Sequence, residues 1–295
     1  MTNLAITEKT DKTPNPRPAQ AWLDTFRKKW VGWTLITLVI GYVAFLIISP
    51  LIALTTSAFE RGAGEVFSAL AHPLTLNAFW NTLWIALIVV LVHSVFGTIV
   101  AWVMVRHRFP GRDLLNGLID MPFAISAVVA GYMLLLLFGR NSFLAPVLEA
   151  AGIRVAFAFP GIVMATLFVT LPFIVRELIP VLEAFDIRQE KAAATLGASA
   201  WQTFWWVTFP ALRWGMVYGI TLTFARALGE FGAVLVIGGA AQGKMMTTTL
   251  FIYHALEERH YIGAYSAALM LGLFSLILVL GSDWLRRKSH QHFDA

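Results

Sequence analysis

The sequence predicts an all-α membrane protein of about six transmembrane helices. Its composition is the first reason. Hydrophobic residues make up 58% of the 295, charged residues only 13%, and mean hydropathy is +0.71. That charged share is about half what a soluble domain carries, too little to cover a soluble surface. The second reason is spacing, because six apolar stretches each reach the roughly 20 helical residues that a ~30 Å hydrocarbon core requires.

The stretches run near Trp30–Leu54, Phe79–Val105, Leu114–Phe138, Pro160–Leu182, Trp214–Gly239 and Ala264–Leu285. Residues 1–29 read as a tail, and the first 20, with three prolines and several Thr, Lys and Asp, as disordered. The first apolar run follows too much polar chain, and is too long, to be a secretory signal. Residues 30–285 form the membrane domain, and 286–295 are a second short tail too small to hold a regulatory domain. Lys and Arg set the orientation. Fifteen fall in the N-terminal tail (six), the loop at 106–112, the loop at 183–213 and the C-terminal tail (three each). Five, Arg61, Arg140, Arg154, Lys244 and Arg259, fall on the other side, while Arg176 and Arg226 lie within helices. This bias puts both termini in the cytoplasm and explains the pI near 9.6 without nucleic acid. The chain has no cysteine, which excludes disulfides and thiolate metal sites.

The loop at 183–213 reads as folded. Asp186 begins a helix with Gln189 three positions on, in the pattern of a capping box, and the alanine-rich stretch to Leu196 favours helix. Gly197 sits where a helix-ending glycine belongs. Ser199 and Gln202 then repeat the cap, opening a second helix that presents Trp201, Phe204, Trp205 and Thr208 on one face and ends or kinks at Pro210. With no Lys or Arg between Lys191 and Arg213, this is a poor DNA-binding helix pair. Two readings remain: a membrane-surface helix anchored by tryptophans, or a docking lever whose small residues admit another protein.

The run Lys191-Ala192-Ala193-x3-Gly197-x9-Val207-x-Phe209-Pro210 resembles the cytoplasmic "EAA" loop of ABC importer permeases, with Lys191 where that pattern has glutamate and Glu190 one position early. Further segments, 108–112 (RFPGR), 120–124 (DMPFA), 160–163 (PGIV), 173–178 (FIVREL) and 225–233 (ARALGEFGA), resemble the sulfate/thiosulfate importer permeases, most of all their W-type subunit. The Gly-Glu-Phe-Gly helix is shared with molybdate permeases. The resemblance covers residues 80–285 and implies a type I importer permease fold in an inner membrane, a second homologous permease, two ATPase subunits that hold ATP and Mg, and a periplasmic sulfate-binding protein. It assigns ATPase docking to Gln189, Glu190, Lys191, Ala192, Ala193, Gly197, Ala198, Ser199 and Pro210. No cofactor and no metal are expected on this chain itself.

Gly238-x4-Gly243-Lys244 has phosphate-loop spacing, but Met245 replaces the Ser/Thr that should reach magnesium, no strand precedes it, and ATP is expected on a partner. Arg226 lies about twelve residues into the fifth stretch, ~18 Å along it, with Glu230 one turn on. Charges at that depth face an interior or a watery path. Arg226 and Glu230 are therefore either a substrate-path pair or a purely structural i,i+4 ion pair, with Gly229 and Gly232 permitting close packing. His93 reads as a hydrogen-bonded interior residue, and Asp120, Arg176 and Glu177 as snorkelling at the interface. The competing functions are a permease for molybdate or another oxyanion, a self-sufficient secondary transporter, which would need its own coupling-ion site, and a structural membrane subunit, which leaves the folded loop unexplained.

Overall fold

The computed structural model describes the backbone of residues 18–239 and 245–290, and side chains within 31–239 and 245–283. All regular structure among them is helical. The chain divides into two units, residues 1–56 and 57–295. The first is helix α1, Pro18–Ala58, which crosses the unit boundary by two residues. It begins at Pro18, inside the expected tail, and Val31–Ala58 is long and apolar enough to span a membrane.

The second unit contains α2 (Ala63–Ala71), α3 (Pro73–Arg106), α4 (Arg112–Ala124), α5 (Ala127–Phe138), α6 (Ala145–Ala150), α7 (Phe159–Ala184), α8 (Ile187–Thr195), α9 (Ala200–Thr203), α10 (Phe209–Leu228), α11 (Gly232–Gly238), α12 (Thr248–Glu257) and α13 (Tyr261–His290). Helices α3, α7 and Tyr261–Asp283 of α13 qualify as straight spans. The third and fifth expected spans are broken. Helices α4 and α5 meet at 115°, so Leu114–Phe138 is not one straight helix. Pro122 withholds one backbone N–H near that corner, and Ser126 leaves the helical conformation. The fifth stretch bends by 57° between Leu228 and Gly232.

Helix α7 is the column around which this unit packs. Its Ile162 joins Val89, Leu228, Val234, Leu250 and Leu271 in one apolar cluster. Its Ile174, Val175, Leu178 and Leu182 join Ala101, Ile119 and Leu212 in a second. Ala165 and Val169 meet Ala130, Ala233 and Ile237 in a third. Lipid tails are as apolar as leucine, so close backbone approach and polar pairs must supply much of the helix association. Small residues mark those approaches. Ile174 fills the space left by Gly97 on α3 and Gly219 on α10. On α5, a Cβ at Gly131 would stand 2.8 Å from the Ala233 carbonyl oxygen of α11.

The polar ties lie between the same elements. Asp120 of α4 and Arg176 of α7 form a two-pronged ion pair, with Arg176 Nε donating to Asp120 Oδ1 at 2.7 Å and Nη2 donating to Oδ2. Arg176 Nη2 also donates to Asn116 Oδ1 at 2.9 Å. Read from the sequence, Asp120 and Arg176 snorkel at the interface; in the structure they are paired with each other across helices. His93 is interior, its Nε2 3.0 Å from the Leu167 carbonyl and 3.1 Å from Thr170 Oγ1.

Gly131→Ala is expected to lower detergent-solubilised stability by about 1–3 kcal/mol, because the added methyl forces α5 and α11 apart. Gly117→Ala on α4, where a Cβ meets nothing within 4 Å, should be neutral or slightly stabilising. Thermal unfolding of the two variants side by side checks the difference.

Candidate coupling loop and the broken fifth span

Helix α8 starts as the sequence implies. Asp186 caps it, its Oδ1 accepting from the Arg188 N–H at 2.9 Å, while Gln189 contributes a backbone bond to the Asp186 carbonyl rather than the side-chain return of a capping box. The helix ends in a Schellman turn: Ala198 N–H donates to Ala193 O at 3.1 Å and Gly197 N–H to Ala194 O at 3.0 Å. Gly197 has φ +89°, a left-handed conformation that glycine adopts at no steric cost, and its Cα faces open space. Ser199 and Gln202 do form a capping box, bonded at 3.3 and 2.8 Å.

The second helix departs from expectation. Of the two outcomes expected at Pro210, an end or a kink, the first does not occur, and no separate surface helix forms. Four α-helical residues lead into a π-wound segment, Phe204–Thr208, which runs on into α10, so Ala200–Leu228 is one helix. Pro210 stands in the first turn of α10. Its missing N–H and its ring disfavour an ordinary α-turn at that place, and the widened turn, with the Phe209 N–H bonded to Phe204 O, accommodates it. The aromatic face is real: Trp201, Phe204, Trp205 and Phe209 form a chain of ring contacts with centroids 4.8–6.4 Å apart.

The two acidic and basic neighbours differ. Lys191, Ala192 and Ala194 are exposed, and Leu196 at the corner is 88% exposed. Glu190 turns inward. Its Oε1 accepts from Arg106 Nη2 at 3.2 Å and from Thr208 Oγ1 at 2.9 Å. No pattern in the sequence marked Arg106 as its partner, since 84 residues separate them.

The second candidate lies at the break in the fifth span. Arg226 is in the last turn of α10, beside the break rather than within a continuous helix. Its Nη2 lies 2.8 Å from Glu230 Oε2, so the i,i+4 pair exists; the Glu230 side chain is 1% exposed and that of Arg226 33%. Glu230 also caps the next segment, its Oε1 accepting from the Ala233 N–H at 3.0 Å, and its own carbonyl accepts from Thr249 Oγ1 at 2.7 Å. Thr249 belongs to α12, whose start is held to α3 by the Thr248 N–H donating to Thr82 Oγ1 at 2.8 Å and Asn81 Nδ2 donating to Met246 O at 3.1 Å. Of the two glycines, Gly232 does pack closely, against Ala127 and Val128, whereas Gly229 meets no neighbouring helix. Of the phosphate-loop look-alike, Gly243 and Lys244 lie outside the described residues, and Gly238 ends a helix rather than a strand.

Broken spans around a central helix, with a folded loop between the fourth and fifth, define a polytopic membrane protein. Residues 93–293 match the family model of the binding-protein-dependent transport system inner membrane component. The chain is 44% identical over 259 residues to the chloroplastic sulfate permease 2 of Chlamydomonas reinhardtii, spanning 88% of this chain and 69% of that protein. It is 43% identical over 257 residues to the sulfate transport system permease protein CysW of Escherichia coli strain K12, spanning 87% and 88%. Its fold matches a bacterial ABC transporter involved in alginate import with a TM-score of 0.74, at 16% identity, over 91% of this chain and 99% of that one. The chain belongs to the binding-protein-dependent transport permeases and, among them, to the sulfate permeases.

The pair at the break makes a prediction. Arg226→Gln leaves the buried Glu230 carboxylate uncompensated and is expected to cost about 3 kcal/mol, read as loss of assembled protein in detergent. Replacing both Arg226 and Glu230 with Gln should restore assembly. Whether uptake per assembled complex also returns separates a structural pair from a substrate contact.

Proposed function

We propose that this chain is the membrane permease subunit of an ATP-driven importer that carries sulfate or thiosulfate inward, with ATP hydrolysed on a partner. The observation that carries the reading is the exposed α8–Gly197–Ser199 corner on this fold. Helix α8 has no buried residue, a shape that suits contact with another chain more than a role in this one's core. Gln189, Lys191, Ala192, Ala193, Gly197, Ala198 and Ser199 form the docking surface for an ATPase subunit. Glu190 and Pro210 support it from within the chain. Sulfate as substrate rests on the family, whose relatives are named for sulfate transport.

The partners of this reading are a second, homologous permease, two ATPase subunits and a substrate-binding protein outside the membrane. The membrane is a bacterial inner membrane, with both termini cytoplasmic. The Arg106–Glu190 contact supports that orientation, since it joins the two internal basic loops at one end of the unit. Arg226, partly exposed at the break, offers a positive, multi-donor group to a passing dianion, while Glu230 holds it in place.

The test is oxyanion uptake by the complex reconstituted with its ATPase and binding protein. ATP-dependent sulfate uptake, competed by thiosulfate and not by molybdate, supports the reading; preferential competition by molybdate replaces its substrate. Uptake driven by an ion gradient without the ATPase would overturn it. Gly197→Trp should abolish ATP-dependent uptake while leaving membrane insertion intact, because a side chain at φ +89° is strained and its bulk stands on the docking surface. Normal uptake by a well-expressed Gly197→Trp protein would remove the docking role of this corner.

A further inference from the structure

A helix with no buried residue needs something other than apolar packing to fix its position. For α8 that is Glu190, whose single oxygen Oε1 meets two different membrane helices. One partner is Arg106, the last residue of α3, where a positive charge also faces the helix's free carbonyl ends. The other is Thr208, the last residue of the π-wound segment that leads into α10. The pair is well enclosed, with side-chain exposures of 11% for Arg106 and 16% for Glu190. Two ring contacts brace the same junction. The Arg106 guanidinium carbon lies 5.7 Å from the centre of the Phe185 ring, just ahead of α8. Trp102, one turn back on α3, stacks on Phe204 at 5.4 Å with the planes 9° apart.

We propose that Arg106 is a positioning residue for transport: through Glu190 and Thr208 it locks the loop helix to the second and fifth spans, so that a displacement of α8 moves both. This rests on the reading of residues 183–213 as the ATPase-docking loop and adds the route by which its movement enters the membrane. The geometry favours transmission over simple anchoring for two reasons. The carboxylate joins three elements rather than two. It also grips the fifth span at its π-wound turn, an i→i+5 winding often found at functional sites. Arg106 is too enclosed to contact an ATPase itself, so its effect must travel through its partners.

The experiment measures sulfate uptake and ATP hydrolysis on the same proteoliposomes, each per assembled complex, for wild type, Arg106→Gln, Arg106→Lys and Thr208→Val. With Arg106→Gln, ATP hydrolysis should stay within about twofold of wild type, while uptake per ATP falls on the order of fivefold or more. Arg106→Lys keeps the charge opposite Glu190 and should keep uptake per ATP within about twofold. Thr208→Val keeps side-chain size and the ion pair, and should lower the ratio by a smaller factor, about threefold. If Arg106→Gln does not assemble, Thr208→Val decides alone. Parallel loss of uptake and hydrolysis, an unchanged ratio, or a lysine variant as uncoupled as the glutamine variant would each overturn the proposal. Wild-type vesicles lacking ATP-dependent uptake would instead overturn the underlying docking reading, before any variant is compared.

Discussion

Lipid satisfies neither a bare backbone group nor an unpaired charge, and that constraint shapes most of what is distinctive here. A straight span meets it automatically, since each N–H finds a carbonyl four residues back. A broken span does not. At the break after Leu228, the missing bonds are made by side chains: the Glu230 carboxylate takes the Ala233 N–H, and the Thr249 hydroxyl takes the Glu230 carbonyl. The same carboxylate needs a cation once it is buried, and Arg226 supplies it from one turn away. One short sequence thus carries a break, its repair and a charge compensated within the unit.

The third stretch meets the constraint differently. Its corner, near Pro122 and Ser126, leaves two helices of 13 and 12 residues, each about 18–20 Å long and too short to cross alone. Helix α4 is tied to α7 by the Asp120–Arg176 pair, and α5 to α11 by the close approach at Gly131. Charge pairing holds one half and small-residue packing the other, both of which work where the hydrophobic effect between helices is weak.

The loop between α7 and α10 is held in place with almost no burial. Its helix α8 shows solvent nearly every side chain, and a single inward glutamate holds it to two spans. Such an arrangement leaves the outer face of α8 exposed and concentrates its side-chain bonds to the spans at one residue. The π turn beneath it is also where Pro210 is accommodated, so a backbone constraint and the Thr208 contact with Glu190 share one short segment.

What the sequence determined by itself was most of what is written locally, although Gln189 does not close the box that Asp186 opens. Apolar run length located the helices, because the bilayer sets a length that composition alone can meet or miss. The turn chemistry of residues 186–202 was legible because capping and Schellman bonds span only three to five residues, and the Gly197 corner follows them. The Arg226–Glu230 pair was legible for the same reason, both residues lying on one helical face. Tertiary structure decided whatever depended on a distant partner. The 115° corner in the third stretch, the pairing of Asp120 with Arg176 and the union of Glu190 with Arg106 join residues up to 84 positions apart, or depend on what packs alongside. Glu190 makes the point most sharply. Read along the chain it was a docking acid one position ahead of the lysine that stands at the motif's glutamate place; in the fold it is drawn inward, because only there does a guanidinium wait at the end of another helix.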